Sequence, residues 1–288
     1  MISVLLGMVA AISWSTHDLL ARRFAADQGP FRMSFWIMLA GAALLGVPVL
    51  WREQLFEGES QAVMLALTMG LVYAFALGAL LLAFSLAPVS IVGPLTAGYP
   101  AIVVIWGVLH GHVPSTLQWF AIILILAGVL IVSRSGHTDD EKDTVKPGQM
   151  PLVIGAALVA DLAFAVTVIM GQSATEGLGE YEVTFLSRFP AAAVLLIMML
   201  KDRKRLQPLS NGGRISIVAM AACDVTAVTA INAAAWFPNR ELGAMAISSY
   251  GALSVLMAMV FLRERVTLLQ WLGIILVVVG VGVLGWPA

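Results

Sequence analysis

The chain has 288 residues, of which 60% are hydrophobic and only 11% are charged. Soluble domains carry about 25% charged residues, so this composition excludes an ordinary soluble fold. The net charge of −1 gives no reason to expect a nucleic-acid or acidic partner. The single cysteine excludes an internal disulfide and a cysteine-based metal site.

Long apolar stretches, separated by clusters of charge, dominate the sequence. A helix needs about 20 apolar residues to cross a lipid bilayer. Ten stretches of about this length follow one another, at residues 2–21, 31–50, 62–85, 89–109, 116–133, 150–172, 181–200, 212–235, 241–261 and 268–285. The period-2 alternation of a membrane barrel is absent. The sequence therefore predicts an all-α protein with ten transmembrane helices embedded in the lipid bilayer.

Two segments, 84–133 and 236–285, resemble each other at a constant offset of 152 positions. The offset places Leu117, Gln118, Trp119, Ile122, Ile123, Leu124 and Gly128 on Leu269, Gln270, Trp271, Ile274, Ile275, Leu276 and Gly280. Duplicated hydrophobic units are typical of secondary transporters. With five spans per unit, the second unit enters the membrane from the opposite side. We therefore expect two inverted five-helix repeats around a central cavity, at 1–133 and 150–288, joined by a cytoplasmic linker at 134–149.

Basic residues are distributed unequally between the two sets of loops. One set holds Arg22, Arg23, Arg32, Arg134, Lys142, Lys146, Lys201, Arg203, Lys204, Arg205, Arg214, Arg263 and Arg265. The opposite set holds Arg52 and Arg240, and Arg188 lies within a span. Because cytoplasmic loops are enriched in Lys and Arg, both termini are expected on the non-cytoplasmic side.

The stretch 261–273 (FLRERVTLLQWLG), followed by Gly280, resembles the end of an EamA domain. This domain is the repeat unit of the drug/metabolite transporter superfamily. The resemblance lies in an acidic residue at the turn before the last helix, here Glu264, and a glutamine that opens this helix, here Gln270. The first repeat has His112 in place of Glu264, so its turn must be braced differently.

The resemblance implies a carrier that exports small metabolites, often amino acids, from a bacterium through its inner membrane. Among bacterial members of the superfamily, the sequence most resembles the amino-acid exporter group typified by YddG. It implies a small-molecule substrate, no cofactor and no enzymatic activity. The alternatives are a membrane-embedded lipid-modifying enzyme and a passive channel. HExxH, GxSxG and GxxxxGK[ST] motifs are absent from the sequence. The solute, proton coupling, direction of transport and the choice between monomer and homodimer stay open.

Spans 5 and 10 carry almost no polar side chains and are expected to face lipid or pack in a dimer. The other eight spans are expected to enclose the cavity. Ionisable side chains at membrane depth are costly and usually functional. Asp161 and Asp224 lie near mid-membrane without a local partner, so we expect a cavity to solvate them. Either aspartate could then carry a proton.

Three other ionisable residues have structural alternatives. Arg188 is either a coupling charge or the neutralising partner of a nearby aspartate. Asp18 can pair with Arg22 one turn on. His17 is the only histidine inside a span, and it is either a hydrogen-bonded packing residue or a proton relay. Adjacent residues on a helix point about 100° apart, so we do not expect His17 and Asp18 to pair.

Aromatic and small polar residues at depth suggest an amphipathic cavity. The candidates are Trp14, Tyr73, Tyr99, Thr229, Asn232, Ser248 and Tyr250. The alternative is that the small polar ones only bond neighbouring helices. Two prolines, Pro94 and Pro100, are expected to bend helix 4, which should move more than helix 9.

Overall fold

A computed structural model describes residues 1–24, 30–52, 59–87, 92, 98–135, 148–200, 211–262 and 266–286. We number the ten helices of this part of the chain in order. They are α1 Ile2–Phe24, α2 Pro30–Arg52, α3 Ser60–Leu86, α4 Tyr99–Leu109, α5 Thr116–Ser135, α6 Met150–Leu178, α7 Glu180–Met199, α8 Asn211–Ala233, α9 (segments Arg240–Ile247 and Tyr250–Met257 and a π-helical turn, Ala258–Leu262) and α10 Leu268–Leu284. The predicted all-α fold is confirmed. Most of the predicted linker, residues 136–147, lies outside the described residues.

The outer surface of the bundle is apolar. Seven helices are long and apolar enough to span a membrane, and α4, α5 and α10 are shorter apolar helices. Large side chains such as Leu130 of α5 and Val278 of α10 are exposed, whereas polar groups such as Thr175 and Asn232 are buried. This distribution suits a hydrocarbon surrounding, because lipid tails do not penalise exposed apolar side chains. The chain is a multi-pass membrane protein.

The crossing of α5 and α10 shows the relation between the two halves. A Cβ atom added at Gly128 of α5 would lie 2.6 Å from the carbonyl oxygen of Gly273 in α10. The 152-residue offset converts this pair into Gly280 and Ala121. A Cβ atom added at Gly280 would lie 3.1 Å from the carbonyl oxygen of Ala121. The two contacts are therefore exchanged by the two-fold axis that relates the repeats. The small residues at both contacts let the two helix backbones approach closely.

The glutamine that the two repeats share begins the last helix of each. In the second repeat, Thr267 Oγ1 accepts from the Gln270 backbone N–H at 3.2 Å, and Gln270 Oε1 accepts from the Thr267 N–H at 2.8 Å. Ser115 and Gln118 make the same two bonds in the first repeat, at 3.3 and 2.8 Å. This capping box satisfies backbone donors that would otherwise lack partners. The repeated glutamine therefore has a structural reason.

Helix α4 differs from the predicted span over 89–109. The described helix begins at Tyr99, so Pro100 stands in its first turn. A proline there removes no helical hydrogen bond and favours the start of a helix. Pro94 lies outside the described residues, so a bend at Pro94 stays a prediction.

Helix α9 is interrupted, although the sequence places the bend in helix 4. The N–H groups of Ser248 and Ser249 donate to the carbonyls of Met245 and Ala246, three residues back, both at 3.1 Å. The Ser249 hydroxyl also donates to the Ala246 carbonyl at 2.7 Å. Serine hydroxyls compete in this way with the regular helical ladder and tighten the turn. A tight turn at Ser248 and Ser249, with the Ser249 hydroxyl bonded to the backbone, thus interrupts α9 without a proline.

Replacement of Gly280 by leucine should separate α5 from α10. Overpacking of this kind costs roughly 1–3 kcal/mol, so thermal unfolding in detergent should occur at a lower temperature. Gly282, on the same helix, has no neighbouring atom within 4 Å of an added Cβ, which makes Gly282→Leu the matched control. Equal stability of the two variants would contradict the close crossing.

Candidate functional site

A cavity of about 200 Å³ lies within the bundle. Its lining residues come from α1, α2, α3, α4, α6, α8 and α9, and α5 and α10 contribute none of them. Aromatic rings form much of the wall: Trp14, Tyr73, Tyr99, Phe164 and Tyr250. The ring of Phe164 lies 6.1 Å, between centroids, from those of Tyr73 and Tyr99. The volume is below the roughly 300–1,000 Å³ of sites for drug-sized ligands and suits a smaller solute.

Asp224 is the most densely bonded residue of this wall. Its Oδ1 accepts from Tyr73 Oη at 3.1 Å and from Trp14 Nε1 at 3.4 Å. Its Oδ2 pairs with Arg188 Nη1. Because Asp224 is 3% exposed and Arg188 is 2% exposed, the two charges are buried together. The expectation that the cavity alone solvates Asp224 is therefore corrected, because an arginine neutralises it.

Arg188 lies behind the cavity wall. We expected α7 to line the cavity, but it supplies none of the lining residues. Its arginine contacts Asp224 from the side that faces away from the cavity. The Nη1 group also lies 3.3 Å from the sulfur of Met38. Removing one partner of a buried ion pair costs about 3–5 kcal/mol, since the other charge is left unpaired. Of the two sequence-based alternatives, neutralisation of a nearby aspartate is the one that this geometry fits.

His17 and Asp18 lie together on the wall nearest the linker. We define the linker end of the bundle as the end where α1 and α3 finish and where α2 and α6 begin. The Nδ1 atom of His17 is 3.2 Å from Asp18 Oδ1, contrary to the expectation from their adjacent positions. Side-chain rotation closes the angle between the two residues. The Asp18 side chain is 46% exposed. The Arg22 side chain lies outside the described part, so the Asp18–Arg22 pair stays a prediction.

Asp161 is placed away from the cavity wall. It is 4% exposed, and its Oδ2 accepts from the backbone N–H of Gly98 at 3.2 Å. Gly98 precedes the first residue of α4, so a side chain of α6 caps α4. A Cβ atom added at Gly98 would lie 2.8 Å from this oxygen, which explains the glycine. Asp161 Oδ1 has no hydrogen-bond partner among the described residues.

The small polar candidates are divided between the cavity and the helix contacts. Asn232 lines the cavity, and its Nδ2 donates to Thr184 Oγ1 at 3.1 Å. Thr229 donates to the same hydroxyl at 3.3 Å and is not a lining residue. Ser248 is buried behind the wall at the break in α9. For Thr229, bonding between helices is the function that the contacts support.

Sequence reasoning missed several lining residues, both apolar and polar. Phe164, Thr167 and Val168 share one face of α6, and Ser34 and Met69 line the cavity from α2 and α3. The three α6 residues have the i, i+3, i+4 spacing of a helix face. On a helix that is apolar all round, this spacing does not distinguish the inner face from the outer.

The opposite end of the bundle, which we call the termini end, is joined by polar contacts. His112 Nδ1 lies 2.7 Å from Glu241 Oε1, which links the α4–α5 turn of the first repeat to α9 of the second. Trp236 Nε1 donates to Glu180 at 2.9 Å, and Ser3 Oγ donates to the Pro238 carbonyl at 2.9 Å. The His112 turn, which lacks the glutamate of the other repeat, is thus braced from another helix.

The fold and its cavity define a class of protein. Repeated five-helix halves around a central chamber are the architecture of secondary transporters. The model of the EamA-like transporter family matches residues 1–134 and 151–286. The chain therefore belongs to the EamA-like transporter family and is not an enzyme. Membership of this family sets aside the lipid-modifying alternative.

Comparison with solved structures agrees with this fold. A protein of known crystal structure superposes with a TM-score of 0.77, over 98% of this chain and 96% of its own, at 16% sequence identity. This likeness shows the fold alone. No curated protein matches the chain in sequence.

Replacement of Arg188 by methionine should destabilise the protein by about 3–5 kcal/mol, because Asp224 keeps its charge without a partner. The double variant Arg188→Met/Asp224→Asn should regain part of this loss. Thermal unfolding in detergent measures both. In the partly exposed pair of Arg240 and Glu176, the control Glu176→Gln should cost about 0–1 kcal/mol, and it leaves the contact of Arg240 with the buried Glu241 at 3.7 Å in place. An equal loss in the Arg188 and Glu176 variants would contradict a buried ion pair.

Replacement of Asp161 by alanine should remove the cap of α4. A lost cap costs about 0.5–2 kcal/mol, and Asp161→Asn should cost less because its amide oxygen can still accept from Gly98. The order of unfolding temperatures, wild type above Asn above Ala, checks this. If the asparagine and alanine variants unfold together, the negative charge rather than the hydrogen bond is what matters at this position.

Proposed function

We propose that this secondary transporter carries amino acids, including aromatic ones, and related small metabolites out of the cell by alternating access. The observation that supports this best is the composition of the cavity. Aromatic faces line it together with the amide of Asn232, the hydroxyls of Ser34 and Thr167, and the carboxylate of Asp18. Such a mixture suits a solute with one apolar and one polar end. It also fits the expected kinship with the exporter group typified by YddG.

The position of the cavity along the bundle supports a carrier that is open towards one side. Its lining residues include Asp18 in the last two turns of α1, Ser34 near the start of α2 and Leu80 towards the end of α3. All three lie towards the linker end, and the cavity extends from them to Asn232 in the last turn of α8, nearer the termini end. The termini end carries the contact between His112 and Glu241. In alternating access, a second state would break contacts at the termini end and close the linker end.

The proposed orientation in the membrane indicates which side of the membrane the open end of the cavity faces. We take the linker end to be cytoplasmic and both chain ends to lie outside, in a bacterial inner membrane, because basic residues are concentrated in the loops of the linker end. The cavity would then be loaded from the cytoplasm. This is the state from which an exporter begins its cycle, and it supports export over uptake. Proton coupling through Asp161 or Asp224 has weaker support, because Asp161 caps α4 and Asp224 is paired with Arg188.

Counterflow in proteoliposomes tests the proposed function. Vesicles loaded with one unlabelled amino acid at a time should accumulate the same labelled amino acid transiently against its gradient, and an aromatic amino acid should be among those carried. Leakage without accumulation would indicate a channel. Absence of counterflow for all twenty amino acids would refute an amino-acid carrier.

A pair of aromatic variants serves as the internal control of this assay. Tyr99→Leu removes a ring from the cavity, whereas Trp119→Leu removes a ring that is exposed on α5. Loss of an aromatic contact worth about 0.5–1.5 kcal/mol should raise the half-saturating concentration roughly two- to tenfold for Tyr99→Leu. Trp119→Leu should leave it unchanged. The same shift in both variants would place the substrate outside this cavity.

A further inference from the structure

Several hydrogen-bond donors on the cavity wall are already engaged within the protein. The indole of Trp14 and the hydroxyl of Tyr73 donate to Asp224. The hydroxyl of Thr167 donates to the backbone of its own helix at 2.8 Å, and the amide of Asn232 donates to a threonine of α7. A solute group that can only accept hydrogen bonds, such as a carboxylate, therefore meets mainly neutral hydroxyls on this wall, such as those of Ser34 and Tyr99.

Acceptor groups on the same wall have capacity left. The Oδ1 atom of Asn232 has no hydrogen-bond partner within the part of the chain that the structure describes, but it is turned towards Gly171 of α6, where an added Cβ atom would overlap it. The carboxylate of Asp18 is half-exposed beside His17 at the linker end of the cavity. Because Asn232 Oδ1 is closed off from the cavity, we expect a solute donor to bind the accessible carboxylate of Asp18. The polarity of the wall thus matches a solute that donates hydrogen bonds.

The charged residues around the cavity also favour a solute with a positive charge. Among the described residues that line it, there is no lysine or arginine. Arg188 is the basic residue behind the wall, but it is 2% exposed and pairs with Asp224. Its charge is therefore compensated before any solute arrives. Asp18 is the remaining carboxylate on the described wall, where His17 Nδ1 lies 3.2 Å from it, and its 46% exposure leaves it open to a solute as well.

The aromatic rings of the wall also favour a cationic or apolar solute. Trp14, Tyr73, Tyr99, Phe164 and Tyr250 line the cavity, and the faces of such rings attract cations as well as apolar groups. We propose that this site recognises its solute by a protonated amine and an aromatic or apolar body, and that it requires no carboxylate on the solute. Aromatic amines are then substrates alongside aromatic amino acids. This inference rests on the proposed function only in taking the cavity as the transport site.

Three ligands that share a phenyl ring on a short chain test the inference. Phenylalanine carries an amine and a carboxylate, 2-phenylethylamine carries the amine alone, and 3-phenylpropionate carries the carboxylate alone. Binding of each to the purified full chain in nanodiscs can be measured by calorimetry. We expect 2-phenylethylamine to bind within about threefold of phenylalanine, and 3-phenylpropionate at least about tenfold more weakly. Equal binding of the acid and the amine, loss of binding by the amine alone, or no binding by any of the three would overturn the inference.

A variant that removes the carboxylate of Asp18 tests where the amine of the ligand binds. Asp18→Asn should weaken the binding of 2-phenylethylamine about tenfold, whereas Glu59→Gln, at an exposed position outside the cavity, should leave it unchanged. The size-exclusion profile and unfolding temperature show whether each variant is folded. Unchanged amine binding in a folded Asp18→Asn protein would remove Asp18 from the site and contradict the charge argument.

The binding assay and the counterflow assay can fail separately. If phenylalanine shows counterflow but 3-phenylpropionate binds as tightly as the amine, the carrier stands and the selectivity for amines is wrong. In that outcome, Arg188, whose Nε and Nη2 have no hydrogen-bond partner among the described residues, becomes the group to test for carboxylate binding. If the amine binds and no amino acid is carried, the inference holds and the proposed amino-acid carrier fails.

Discussion

A charge inside hydrocarbon requires its counter-charge, and the pairing of Arg188 with Asp224 satisfies this requirement at the centre of the bundle. The pair joins α7 to α8, and the additional donors Trp14 and Tyr73 bring in α1 and α3. Four helices from both halves therefore converge on one carboxylate. The same carboxylate forms part of the cavity wall, so the group that holds these helices together also determines which polar atoms a solute can reach.

Close backbone contact holds the rest of the bundle together. Helices in lipid gain little from burying apolar side chains, so their association depends on packing and hydrogen bonds. Gly128 and Gly280 supply the packing where α5 crosses α10, and the two capping boxes fix where these helices begin. Neither helix contributes to the cavity wall. The structure thus separates a pair of helices that stabilises the fold from the helices that surround the solute.

Sequence alone was sufficient for the number of helices, their repetition and the apolar character of α5 and α10. These features depend on hydrophobic length and on identity between the copies, which are read directly from residues such as Gln118 and Gln270. The direction in which a side chain points was harder to predict. Asp161 and Asp224 have similar predicted depths, yet one caps α4 and the other lines the cavity. Because most of these helices are apolar on every face, their rotation about the axis leaves little trace in the sequence.

The contact between Arg188 and Met38 bears on how two copies of one unit came to differ. Met38 of α2 and Arg188 of α7 come from the second helix of each repeat, and the arginine Nη1 lies 3.3 Å from the methionine sulfur. Equivalent helices that touch lie close to the axis that relates the two repeats. An arginine at position 38 beside Arg188 would place two like charges about 4 Å apart, a repulsion of roughly 4 kcal/mol even in a moderately polar interior. An uncharged side chain at position 38 avoids this repulsion, so the second helices of the two repeats differ in charge where they meet.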